Sequence, residues 1–166
     1  MWFLTQEGVD RYDGKYIKHY NFSDDSIKLD SRIALNWLYM DSGNILWVIG
    51  QKGRIFRYDS QHDKFKLAYI HPELIRNKPQ AFLNYGYLDK NDRIWLCYKD
   101  SITWYDIRTG TTLHMPTPVN GEITAIEQTD SNHFFIGTGN GLFHAGIEKG
   151  KLNIMPDKMV EGIGTS

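Results

Sequence analysis

LNWLYMDSGNILW, residues 35–47, and LNYGYLDKNDRIW, residues 83–95, align without a gap and close on Trp47 and Trp95. ITAIEQTDSNHFF, residues 123–135, follows the same apolar positions, with Thr129 in place of the aspartate and Phe135 in place of the tryptophan. Trp2 supplies a fourth anchor, so the anchors recur at intervals of 45, 48 and 40 residues. Six residues beyond each stands Gly8, Gly53, Ser101 or Gly141, small residues suited to a tight hairpin with positive φ. A Tyr-Asp pair then closes the first three copies, at Tyr12-Asp13, Tyr58-Asp59 and Tyr105-Asp106, where the aspartate can bond nearby backbone amides in a turn.

Each copy reads as four short strands. In the second copy they are expected at about 34 to 40, 45 to 50, 54 to 58 and 64 to 69, joined by SGN, QKG and DSQHDK. The last strands, YIKHY, FKLAY, LHM and KLNIM, mix polar with apolar residues, as an outer strand with one wet face should. Four-strand units at a period of about 40 to 50 residues are the mark of propeller blades. The expected fold is therefore all-β, a partial propeller with blades near 1–30, 31–78, 79–118 and 119–166. HPELIRNK, residues 71–78, is the one stretch compatible with a helical turn, and Pro79 would end it. The first unit opens on its anchor, which predicts a blade without its innermost strand and a segment of a longer protein.

Composition narrows the function. Nineteen basic against twenty acidic residues give a net charge of -1, without the basic footprint of a nucleic-acid binder. No apolar run reaches the roughly 18 residues that a membrane helix needs, and no secretory leader pattern is visible, so neither nucleic acid nor membrane is an expected partner. Cys97 is the lone cysteine, which excludes an internal disulfide and cysteine-only zinc sites.

The phrases MWFLTQEGVDRYDGKYIKHY, DSGNILWVIGQKGRIFRYD and DKNDRIWLCYKDSITWYD resemble the two-component regulator propeller repeat, approximately D-x-x-G-x-x-W-x-G-T-x-x-G-L-x-x-Y/F-D. The resemblance spans the chain in four copies. It implies the sensor region of a hybrid two-component system, in which propellers and a β-sandwich lie outside the inner membrane and a histidine kinase inside. It further implies a periplasmic segment that helps detect a glycan breakdown product. FIGTGNGLFHAG keeps the G-T and G-L of the pattern but has no Tyr-Asp, and the first copy has LT where the pattern has G-T.

No catalytic or cofactor motif accompanies the repeat. Asp41, Asp89 and Asp130 recur once per blade and lack the remaining ligands of a calcium loop, so they read as turn formers. GTGNG, residues 137–141, lacks the third glycine of a dinucleotide loop and precedes a strand, so it reads as a hairpin. The six histidines, His19, His62, His71, His114, His133 and His144, are scattered, which argues against a propeller lyase or glycosidase.

Trp2, Trp47 and Trp95 are expected in the packing between sheets rather than as sugar platforms. Binding would fall to the loops entering the innermost strand and those joining the second and third strands. These carry Arg32, Asn36, Arg76, Gln80 and Asn84, with Gln51, Lys52, Lys99 and Asp100. Arginine and amide groups can bracket a hydroxyl-rich or charged oligosaccharide through directed hydrogen bonds. The other expected partners are the remaining blades of the parent sensor and a second copy paired through exposed strand edges. A protein-interaction propeller without a small ligand is the remaining alternative.

Overall fold

The computed structural model describes residues 1–22, 34–72, 82–117, 119 and 121–156, with backbone alone at Met155 and Pro156. Among the described residues, fifteen strands form four antiparallel sheets, each a simple meander in chain order. The first sheet has β1 (Trp2–Leu4), β2 (Val9–Tyr12) and β3 (Ile17–Tyr20). The second has β4 (Leu35–Met40), β5 (Leu46–Gly50), β6 (Arg54–Asp59) and β7 (Lys64–Tyr69). The third has β8 (Leu83–Leu88), β9 (Arg93–Tyr98), β10 (Ser101–Asp106) and β11 (Thr112–Pro116). The fourth has β12 (Ile123–Gln128), β13 (His133–Thr138), β14 (Gly141–Glu148) and β15 (Lys151–Pro156). The expected all-β blades are present, and the helical turn expected over 71–78 lies mostly outside the described residues.

The chain divides into two compact units, Met1–Phe82 and Leu83–Ser166, each holding two sheets. Cross-strand pairing places every anchor on an equivalent row. The rows are Trp2–Arg11–Lys18, Tyr39–Trp47–Arg57–Lys66, Tyr87–Trp95–Trp104–Leu113 and Glu127–Phe135–His144. Opposed residues share a face, so each row is a stripe on one side of its sheet.

Both units bury that stripe in the same way. In the first unit, Trp2, Leu4 and Val9 pack on Val48, Phe56 and Phe65 of the second sheet. In the second, Trp95, Cys97, Ile102 and Trp104 pack on Phe134, Ile136, Ala145 and Ile147 of the fourth. The Trp95 ring lies 5.0 Å from Trp104 and 4.7 Å from Phe134, tilted in both pairs, an arrangement that avoids the unfavourable face-to-face sandwich. The rule of both joints is that the anchor face of one sheet meets the opposite face of the next. That opposite face carries the residue following the anchor, Val48 in one joint and Ile136 in the other.

Two expectations need correction. Phe135 sits on the anchor row but is half-buried, and the core of its sheet is made by its neighbours Phe134 and Ile136 on the other face. Ser101 is not a positive-φ hairpin residue but the first residue of β10. Gly8 has a stricter requirement than its turn, since a Cβ there would stand 2.3 Å from the Tyr20 carbonyl oxygen.

Candidate ligand face

The three described inner strands share a feature at one position. Pairing with the second strand skips a residue between Leu35 and Trp37, between Leu83 and Tyr85, and between Ile123 and Ala125. The skipped residues are Asn36, Asn84 and Thr124, all polar. Such a bulge takes backbone groups out of the ladder and re-aims the side chain, which is why bulges accumulate beside binding sites.

In the second sheet the bulge adjoins the β5–β6 turn. Gln51 N–H donates to the Ala34 carbonyl at 2.7 Å, tying that turn to the start of the inner strand. Lys52 (φ 64°) and Gly53 (φ 78°) follow one another in the left-handed region within the turn Gln51–Gly53, 3 residues long. Exposed Asn36 and half-buried Lys52 therefore lie at the same end of one sheet. The third sheet repeats the arrangement with Asn84 beside the exposed Lys99 and Asp100 turn, and Thr117 N–H donates to the Asp100 carbonyl at 3.0 Å. Asn84 Nδ2 and Thr117 Oγ1 are buried atoms without a hydrogen-bond partner among the described residues. Arg32, Arg76 and Gln80 lie outside the described residues.

Thr124, exposed and donating to the Gly137 carbonyl at 3.3 Å, was absent from the expected set. Its alignment beneath Asn36 and Asn84 was the available signal.

The repeated aspartates are structural, with a duty beyond the turn. Asp41 accepts the Gly43 and Ile45 amides through Oδ1 and the Trp47 indole N–H through Oδ2 at 2.7 Å. Asp89 accepts the Asn91 and Arg93 amides, Arg93 Nε and the Trp95 indole N–H at 2.9 Å. Asp130 accepts the Asn132 and His133 amides. Histidines engage their own local partners: His19 with Asp10, His62 with Asp59, His133 with Asp130 and His114 with Thr103. Among the described residues no group of three His, Cys, Asp or Glu is placed to hold a metal. Burial pushes the Cys97 thiol up, which disfavours the thiolate.

A further polar cluster, not expected from the sequence, joins the first two sheets. Asp63 (φ 49°) accepts the Tyr20 and Tyr58 hydroxyls, each at 2.6 Å, Arg11 Nη1 at 3.1 Å, and Lys18 Nζ. The Arg11 guanidinium also lies over the Trp2 and Tyr20 rings. Lys18, then the two phenols, hold the Asp63 carboxyl below the usual range. All of its donors belong to the same joint, so the cluster acts as a clasp.

No protein-family model matches the chain, and no curated protein matches its sequence. Solved structures do. The extracellular domain of the hybrid two-component system BT3049 from B. thetaiotaomicron is similar with a TM-score of 0.67 and 20% identity, over 93% of this chain and 23% of that one. The corresponding domain of BT4673 from the same organism is similar at 0.65 and 16%, over 95% of this chain and 21% of that one. Streptogramin B lyase is similar at 0.64 and 19%, over 95% of this chain and 51% of that one. The chain thus shares its fold with both sensor domains and an enzyme, and spans under a quarter of the sensor domains' length.

Proposed function

We propose that this chain is a non-catalytic segment of the periplasmic sensor propeller of a hybrid two-component regulator, and that it contributes to binding an oligosaccharide. The observation that carries the reading is the shared bulge at Asn36 and Asn84, at the end of each sheet that also bears the turn with Lys52 or Lys99. A carboxamide offers two donors and an acceptor, and an adjacent ammonium adds three donors, a set that matches vicinal hydroxyls or a sugar carboxylate. Signalling would draw on the difference in ligand affinity between two arrangements of the parent sensor.

Fold likeness to streptogramin B lyase supports a second, enzymatic reading. The described histidines favour the first, because His19 on β3, His62 in the β6–β7 turn and His133 at the start of β13 each engage a local aspartate.

The test is calorimetric titration of this chain with a panel of neutral and uronic-acid oligosaccharides. Asn84→Ala, Lys99→Ala, Arg32→Ala and Arg76→Ala are carried alongside. The expected result is binding of at least one glycan, weakened roughly tenfold by loss of a hydrogen-bonding side chain, with no turnover of the glycan. Equal affinity in all four variants would discard this face, and cleavage of the glycan would replace the sensor reading with the enzymatic one.

A further inference from the structure

Strand pairing fixes the residue that leads into each described inner strand. Leu35 pairs with Gly50, Leu83 with Tyr98 and Ile123 with Thr138. One step beyond these pairs, Ala34 lies across from Gln51, Phe82 from Lys99 and Glu122 from Gly139. In the second sheet the bond from Gln51 N–H to the Ala34 carbonyl fixes that step. All three leading residues are exposed, yet one is a methyl, one a phenyl ring and one a carboxylate. The blade itself therefore calls for no aromatic side chain at this position. Phe82 nonetheless presents a ring that is 70% exposed. It stands at the loop-bearing end of the third sheet, in the middle of the chain, and not on a face that an adjoining sheet would cover.

We propose that Phe82 is a stacking platform for one pyranose ring of the bound oligosaccharide, with Lys99 and Asp100 serving the hydroxyls at the rim of that ring. The proposal rests on the reading of this end as the ligand face. A pyranose with equatorial substituents carries axial C–H groups on its faces and hydroxyls round its edge. The weakly positive C–H groups suit the negative face of an aromatic ring, and the hydroxyls need directed donors and acceptors. Lys99, across the ladder from Phe82, brings three N–H donors, and the Asp100 carboxylate beside it brings acceptors. Both residues are exposed. A free inorganic anion would have no use for the ring, and a purely aliphatic ligand none for the turn. The sugar that uses both has an unobstructed C–H face, as β-linked gluco- and xylo-configured units do. Ala34 and Glu122 offer no such surface, so the stacking subsite belongs to the third sheet.

The experiment is calorimetric titration of the chain with cellohexaose and xylohexaose, for wild type and for Phe82→Tyr, Phe82→Leu and Phe82→Ala. Because the side chain is exposed, the variants should melt with the wild type. At least one of the two glycans is expected to bind. Phe82→Tyr should keep the affinity within about twofold, whereas Phe82→Leu and Phe82→Ala, which lack the π face, should each lose about tenfold. Saturation-transfer NMR on the wild-type complex should show the strongest transfer to the axial C–H protons of one sugar face.

Phe82→Leu or Phe82→Ala binding as tightly as wild type would overturn the platform while leaving the ligand face in place. Binding of neither glycan would also overturn it. The ligand face itself falls only if every member of the wider oligosaccharide panel fails as well. Loss of self-association in Phe82→Ala, with glycan affinity unchanged, would assign the ring to a protein contact and so exclude the stacking role.

Discussion

The third and fourth sheets pair their strands alike but close their first hairpins with different chemistry. In the third, Trp95 is fully buried and its indole N–H needs an acceptor. Asp89 supplies one while its other oxygen takes two turn amides. In the fourth, Thr129 stands where the aspartate was and Phe135 where the tryptophan was. Thr129 donates its hydroxyl to the His133 carbonyl at 3.1 Å, and the turn amides pass to Asp130, one residue later. The two positions change together because each is costly without the other. A buried indole N–H without an acceptor carries a desolvation penalty, and a buried carboxylate without donors carries a larger one. Asp and Trp six residues apart therefore act as a unit, present also at Asp41 and Trp47.

The largest effect on this contrast should come from Asp89→Ala. It strands the Trp95 indole, two turn amides and the Arg93 side chain, whose Nε lies 2.7 Å from the carboxylate. Denaturant unfolding should show a loss of about 3 to 4 kcal/mol, the range for removing one partner of a buried charged network. A loss below about 1 kcal/mol would mean that the aspartate merely forms a turn.

Trp95→Phe comes next, at about 2 kcal/mol from lost volume and contacts. The sharper measurement is the cycle with Asp89→Thr, which writes the chemistry of the fourth sheet into the third. The double variant should be more stable than the sum of the single losses implies, by about 1 to 2 kcal/mol. Additive losses would break the claim that the pair is one unit. Thr129→Ala in the fourth sheet should cost less, about 0.5 to 1 kcal/mol, since a single exposed hydroxyl donor is removed.

The strand order and the anchor rows were legible in the sequence because the period-2 pattern, the Trp spacing and the turn residues repeat in register. The indole acceptor was less so. Asp41 and Asp89 read correctly as turn formers, but the constant six-residue spacing to a tryptophan, and its joint loss at Thr129 and Phe135, carried the second role. Asn36 and Asn84 could be placed at the entry to their inner strands by position alone, but the bulges there could not. Their re-aimed geometry is a relation between two strands, and neither strand's pattern contains it. Asp63 shows the same limit: from a turn segment, its carboxylate gathers Arg11 and Tyr20, 52 and 43 residues away. The half-burial of Phe135 was hidden because an anchor's register says which face it is on, not whether another sheet covers that face.

The smallest expected effect separates the two hairpins by pH. Asp130 is exposed, and the amide of Asn132, then the His133 ring, hold its carboxyl below the usual 3.8. A carboxyl whose folded value is depressed contributes stability that is complete above its unfolded value and disappears as pH falls through the folded one. Between pH 7 and the ordinary carboxylate range this contribution to the fourth hairpin should therefore stay constant. Below that range, protonation turns the carboxylate into a weaker, neutral acceptor, and the Asn132 and His133 amides should lose hydrogen-exchange protection. Asp130→Asn removes the titration, so those two amides should no longer show this acid-dependent step. The same loss of protection in wild type and Asp130→Asn would show that the turn opens for another reason, and the division of labour between Thr129 and Asp130 would fail.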